Sequence, residues 1–131
     1  MRVLVPILNP SYSQEHFIQR IVRDASVVYL LLVLDPKSAH NPFGFKTSEI
    51  MLGRETVDLV KNKIKENKRL CTDMLEWGDT LEKIVQIAEM KNVDKIMLYN
   101  AENNPHFVHT INDVQSRTKI VVECVDGALK K

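Results

Sequence analysis

A chain of 131 residues can bury one core without disulfide or metal staples and is too short to hide a second domain, so residues 1–131 read as a single domain. Its 18 basic and 17 acidic side chains leave a net charge of +1, which argues against a nucleic-acid module working through a basic excess on one face. The 44% hydrophobic and 27% charged content is that of an ordinary soluble protein.

The longest apolar run, Val27 to Leu34, falls well short of the roughly 20 residues of a membrane span. The opening MRVLVPI is already a strand and lacks the charged, apolar, small-residue order of a secretory signal, so a cytoplasmic protein is expected. Cys71 and Cys124 form no disulfide framework, CxxC pair or zinc site, and are expected as reduced, buried thiols.

Val3 to Leu8 is apolar on both faces and predicts a central strand. Pro6 cannot donate to a ladder, which places it at the strand's carboxyl end, before Asn9-Pro10-Ser11 turns the chain. Ser11 or Ser13 then caps a helix over about Gln14 to Asp24 that buries Phe17, Ile18, Ile21, Val22 and Ala25. His16, one turn along, could hydrogen-bond to Ser13. Val27 to Leu34 predicts a strand buried on both faces, and Asp35-Pro36 stops it.

From Asp35 to Lys46 the turn-prone Pro36, Pro42 and Gly44 stand among exposed-looking His40, Phe43 and Phe45, predicting a long loop. Its two phenylalanines act as a lid or subunit contact, or else pin the loop to its own domain. Thr47 or Ser48 caps a second helix to about Asn67, with Ile50, Val57, Val60 and Ile64 toward the sheet. Gly53 costs that helix roughly 1 kcal/mol relative to alanine. The basic run of Lys61, Lys63, Lys65, Lys68 and Arg69 reads as a solvated face and a helix C-terminus, where cations suit the dipole.

Leu70 to Trp77 carries Asp73 and Glu76, which suits an edge strand. Asp79 caps the next helix and Glu82 can reach back to it; Leu81, Ile84, Val85 and Ala88 make its buried stripe, and Asn92 ends it in a left-handed turn. Ile96 to Tyr99 is another buried strand. Asn104-Pro105 opens a last helix with Phe107, Val108, Ile111 and Val114 inward, and Lys119 to Val125 is the final strand. Five strands alternating with four helices specify an α/β three-layer sandwich with a mainly parallel sheet.

RVLVPI, VVYLLLVLD and GDTLEKIVQIAEMKNVDKIMLYN resemble the opening valine-proline strand, the second strand and the glycine, helix and "AxxxxxD-hydrophobic" segment of the universal stress protein family. The resemblance covers nearly the whole chain. It implies strand order 3-2-1-4-5 with helices on both faces, and Leu70 to Trp77 and Lys119 to Val125 as the two edges. ATP-binding members carry an aspartate after the valine-proline and G-x2-G-x9-G-[ST] after the fourth strand. Here Leu8 or Asn9 stands at the aspartate, and Asn100-Ala101-Glu102-Asn103-Asn104-Pro105 contains no glycine. Asn100 and Asn103 have the spacing of the first two glycines and tolerate left-handed backbone, while Glu102 would repel a triphosphate.

Ligands of open α/β sheets bind at the carboxyl ends of the strands, where strand order reverses. The expected site, and the largest concavity, is therefore a rim of Ile7, Leu8, Asn9, Val33, Asp35, Trp77, Gly78, Asn100 and Asn103. The resemblance implies a non-catalytic stress-response binding or signalling module with weak or altered nucleotide binding, ATP being one possible ligand and no cofactor being required. The alternative is a small nucleotide- or phosphate-binding enzyme, or a flavin carrier, using Asn9, Ser11, Asp35 and Asn100 of the same rim. No Gly-x-Ser-x-Gly elbow, Walker lysine, dinucleotide GxGxxG or zinc-protease helix is present, and no catalytic residue is assigned. His106, His109 and Asp113 share one face of the last helix; a solvated polar face accounts for them, and no metal site is assigned.

The last strand is expected to join a homodimer, as family members do. Ile120, Val121, Val122 and Val125 make it apolar and β-prone, Cys124 lies among them, and only Lys119 and Glu123 guard its edge.

Overall fold

The apolar runs bounded by proline, glycine and aspartate all become strands. The protein, seen here as a computed structural model, is described over residues 1–37 and 44–127. In chain order its elements are β1 (Arg2–Pro6), α1 (Glu15–Asp24), β2 (Val27–Leu34), α2 (Ile50–Glu66), β3 (Leu70–Trp77), α3 (Thr80–Met90), β4 (Lys95–Asn100), α4 (Phe107–Arg117) and β5 (Val121–Asp126). The sheet order is β3-β2-β1-β4-β5, and every pairing is parallel. Right-handed crossovers put α1 and α2 on one face and α3 and α4 on the other, in agreement with the packing of α1 on α2 and of α3 on α4. Among the described residues no helix is long and apolar enough to cross a membrane.

Burial explains the strand sequences. Val3 to Leu8, Leu30 to Leu34 and Ile96 to Tyr99 are all withdrawn from water, as central strands covered on both faces must be. Pro6 closes β1 opposite Leu31, and the Ile7 N–H makes one further bond to the Leu31 carbonyl at 2.8 Å. The strand thus stops two residues before the expected Leu8.

The caps differ from expectation. Asn9 rather than a serine starts the next turn: its side-chain oxygen accepts the Ser11 N–H at 3.0 Å and the Ser11 hydroxyl, opening a 3-10 turn over Pro10–Ser13 that precedes α1. Ser13 is occupied with the Pro10 carbonyl, and α1 has no side-chain cap. Likewise neither Thr47 nor Ser48 caps α2; the Glu49 carboxylate accepts the Lys46 N–H at 2.8 Å. Asp79 does cap α3, accepting the Glu82 N–H at 2.9 Å, and Asn92 takes the left-handed position at its end, φ 50.

Phe45 is buried and bridges in parallel to Leu34, so it pins its loop to the domain; His40, Pro42 and Phe43 lie outside the described residues. Gly53 has a packing role. A Cβ there would come within 2.8 Å of Leu32, so the glycine lets α2 lie close on β2. Lys68 ends α2 with φ 60, a conformation glycine adopts freely and that costs other residues roughly 1 kcal/mol. In α3, Thr80 and Ile87 join the buried stripe. The last helix begins at Phe107 rather than Pro105, Val108 is in solvent rather than inward, and β5 begins at Val121 rather than Lys119.

One polar cluster ties α1 to the sheet. Lys95 of β4 places its ammonium 2.9 Å from Asp24 and 3.3 Å from Glu123, and Arg20 reaches Glu123 at 2.9 Å. Glu123 is therefore paired within the subunit, and Lys95, which starts β4, is buried because these carboxylates receive its charge.

Candidate functional site

Where strand order reverses, the carboxyl ends of β1 and β4 part and leave a hollow of about 420 Å³ lined by Asn9, Ser11, Tyr99, Asn100, Glu102 and Phe107, among others. Its floor is aromatic. Tyr12, fully buried, accepts the Tyr99 N–H on its hydroxyl at 3.0 Å and meets Phe17 and Tyr99 edge-on. Phe17 stacks flat on Tyr99 with centroids 4.7 Å apart, and the Tyr99 hydroxyl donates to Gln14 at 2.7 Å. Burial pushes the hydroxyls of Tyr12 and Tyr99 above the ordinary tyrosine pKa, so both rings stay neutral.

The loop after β4 is closed upon itself. The Asn100 side chain accepts the Asn104 N–H and donates to the Asn104 carbonyl, both at 2.9 Å. Asn104 in turn accepts the His106 N–H on its side chain and the Phe107 N–H on its carbonyl. Asn103 is left-handed, φ 52, with its N–H on the Asn100 carbonyl and its side-chain oxygen accepting the Gly127 N–H at 3.0 Å. Gly127 fits because it has no side chain: a Cβ would stand 1.8 Å from the Ala101 carbonyl oxygen.

The nine expected rim residues divide into two groups. Asn9 and Asn100 line the hollow, and Asn103 is in its loop. Ile7 and Leu8 are buried beneath it, and Val33 is buried in β2. Asp35, Trp77 and Gly78 belong to the β2–β3 end. There Asp35 is buried, accepting the Thr80 N–H at 3.0 Å, the Thr80 hydroxyl at 3.1 Å and the Lys37 N–H at 2.8 Å, which fastens β2 to the start of α3. Trp77 is 56% exposed, and Gly78 has φ 140. Contrary to the expectation from the topology, the rim hollow is not the largest concavity; hollows of about 630 and 850 Å³ lie at the opposite, amino end of the sheet.

Other sequence candidates separate in space. His106, His109 and Asp113 are all exposed, and among the described residues no three His, Cys, Asp or Glu side chains are grouped to hold a metal ion. His16 meets the Asp126 carbonyl at 3.0 Å rather than Ser13. Cys71 and Cys124 are half-buried on opposite edges of the sheet, and burial pushes each thiol up to about 11.

Two carboxylates titrate low, with a consequence for acid stability. For Asp35, burial opposes ionisation, but the Lys37 and Thr80 donors outweigh it and hold the pKa below the ordinary value; for Asp24 the hydrogen bond from Lys95 is the main cause of a downward shift. The unfolded chain then takes up these protons at higher pH than the folded one, so their stabilisation is complete above about pH 4 and is lost as pH falls through the lowered values. Urea midpoints measured from pH 6 to pH 2 should fall most steeply below about pH 4, and Asp35→Asn should flatten that fall; an unchanged slope would show that Asp35 is not a source of it.

Comparison of the whole fold with known structures decides its type. A universal stress protein from Archaeoglobus fulgidus in complex with dAMP superposes with a TM-score of 0.67 at 16% identity, covering 95% of this chain and 96% of that one. The fold is that of the universal stress proteins. A universal stress protein in complex with cAMP gives 0.65 at 16% identity, covering 98% of each chain. A family protein from Arabidopsis thaliana with AMP bound gives 0.64 at 12% identity, covering 98% of this chain and 92% of that one. No protein-family model matches the sequence, and no curated protein matches it.

Proposed function

We propose that this chain is a non-catalytic binding or signalling module on the universal stress protein fold, homodimeric through β5, with a rim hollow that takes nucleotides weakly or in altered form. The nucleotide complexes of structures sharing the fold make the rim the place to ask the question. The closed loop after β4 supports weak binding there. A phosphate held at such a turn needs main-chain N–H donors aimed outward, whereas the N–H groups of Asn103, Asn104, His106 and Phe107 already donate within the loop and Pro105 has none. The hollow's lining holds one charged residue, Glu102, of the wrong sign for a triphosphate. Opening the loop would break several bonds of roughly 1 kcal/mol net each, which offsets most of what a phosphate chain would gain there.

Titration calorimetry with ATP, AMP and cAMP should find rim association no tighter than about 1 mM, which corresponds to some 4 kcal/mol. Low-micromolar ATP binding abolished by Asn100→Ala would show that asparagine substitutes for glycine and would overturn this reading.

A further inference from the structure

We propose that the hollow at the amino ends of β1, β2 and β3, at the pole opposite the rim, binds a condensed phosphate chain, either a free oligophosphate or the phosphate tail of a nucleotide. The hollow measures about 850 Å³ and is lined by Arg2, Tyr29, Lys65, Lys68, Arg69 and Thr72 with three apolar or thiol neighbours and no acid. A protein with a net charge of only +1 has thus gathered four cations around one concavity of ligand size. Among the described residues the side chains of Arg2, Lys65 and Lys68 enter no ion pair. Two acids of the neighbouring strand and turn have other partners: Asp94 accepts the Arg2 main-chain N–H at 2.7 Å, and Asp73 holds Lys61 at 2.5 Å.

Cations at helix carboxyl ends are ordinarily explained by the helix dipole, and that explanation covers part of this cluster. Arg69 donates to the carbonyls of Val22, Ala25 and Asn67, so its role is to close the ends of α1 and α2. Lys65 lies in the last turn of α2. Arg2 and Lys68 are not accounted for in this way. Arg2 is on a strand, its guanidinium donating to the Tyr29 hydroxyl at 2.6 Å and lying 5.5 Å from the ring centroid, and Lys91 brings a further ammonium within 5.7 Å of the same ring.

Lys68 is the sharper observation. It holds φ 60 at the helix-ending position where glycine is the unstrained choice, and α2 already has Lys63 and Lys65 in its last turn for the dipole. A lysine at a position whose backbone favours glycine supplies charge to the hollow. Several flexible ammonium groups and a guanidinium around one space suit a compact chain of anionic oxygens, to which each can donate charge-assisted hydrogen bonds; a single carboxylate would leave most of them unanswered.

Calorimetric titration of the full chain with sodium tripolyphosphate, ATP and adenosine at low ionic strength tests this site. Tripolyphosphate should bind and adenosine should not. Lys65→Gln should weaken tripolyphosphate by about tenfold. Lys68→Gly should weaken it similarly while raising the melting temperature, a pairing of effects that loss of fold cannot produce. ATP binding as tightly as tripolyphosphate means the chain alone is read, and ATP binding tenfold tighter with the same sensitivity to Lys68→Gly identifies a nucleotide as the source; either supports the site. No tripolyphosphate heat, affinity indifferent to both lysine variants, or ATP binding lost only on Asn100→Ala would each overturn the proposal, the last by moving binding to the rim.

Discussion

Phe17→Ala is expected to lower the unfolding free energy by about 4 kcal/mol, read from urea midpoints at constant slope. Phe17 is completely buried, stacked on Tyr99 and set edge-on against Tyr12, so its removal opens a cavity bounded by two rings that cannot collapse freely. Tyr12 holds the Tyr99 N–H and Tyr99 holds Gln14, and both bonds resist the inward shift that would fill the space. For a chain of this size the melting temperature should fall by roughly 15 °C. Phe17→Leu, which keeps most of the volume, should cost less than half as much. A loss below about 1 kcal/mol in the alanine variant would mean that α1 does not depend on this cluster. Because Tyr99 also lines the rim hollow, the variant should also lose near-ultraviolet circular dichroism from the tyrosines before it loses helix signal.

The strands were legible because their ends are chemically marked. Asp24-Ala25-Ser26 and Asp35-Pro36 bracket β2, and Arg69 and Gly78 bracket β3, and both occupy the residues anticipated, Val27–Leu34 and Leu70–Trp77. The order of the strands came from the family resemblance, since periodicity cannot say which strand neighbours which. Helix starts were harder: Asn9, Ser11 and Ser13 can all cap, and the choice fell to Asn9 because Pro10 fixes the turn that follows. Tyr12 gave no signal, standing between two serines outside any apolar stripe; its burial depends on Tyr99, 87 residues away. Val108 misled because it stands about 100° round the helix from Phe107, off the stripe of Phe107, Ile111 and Val114. At the rim, the cluster of Asn100, Asn103 and Asn104 was visible as a departure from glycine, but its mutual locking involves Gly127, just beyond the end of β5, a contact with no sequence signature. The basic run at the end of α2 was read as a solvated helix end, and only the sheet brings Arg2 and Tyr29 to it.

Cys124→Pro is expected to convert a β5-linked dimer into a 15.1 kDa monomer by light scattering, with little loss of subunit stability. The Gly127 N–H reaches the Asn100 carbonyl of β4, and in a parallel ladder alternate residues point their main-chain groups to the same side. Val121, Glu123 and Val125 therefore bond to β4, while Val122, Cys124 and Asp126 face outward. Two of the outward residues are already engaged. Gln115 accepts the Val122 N–H at 2.9 Å and donates to the Ile120 carbonyl at 2.9 Å, and His16 meets the Asp126 carbonyl. Of the three outward residues only Cys124 keeps both its N–H and its C=O open, so an antiparallel partner pairs best with the two-fold axis beside that residue. Reciprocal bonds there would set the two Cys124 Cα atoms about 5.5 Å apart, within reach of a disulfide. Proline at this position removes the outward donor and no ladder bond. Catalysed oxidation, needed because the buried thiol is held at about 11, should cross-link wild type and Cys71→Ser to twice the monomer mass and leave Cys124→Ser single. Cross-linking that instead requires Cys71 would transfer the interface to β3, where the Leu70 and Gly78 N–H groups bond to the Ser26 and Leu34 carbonyls and Cys71, Asp73, Leu75 and Trp77 face outward by the same alternation; a monomer at micromolar concentration would exclude both edges.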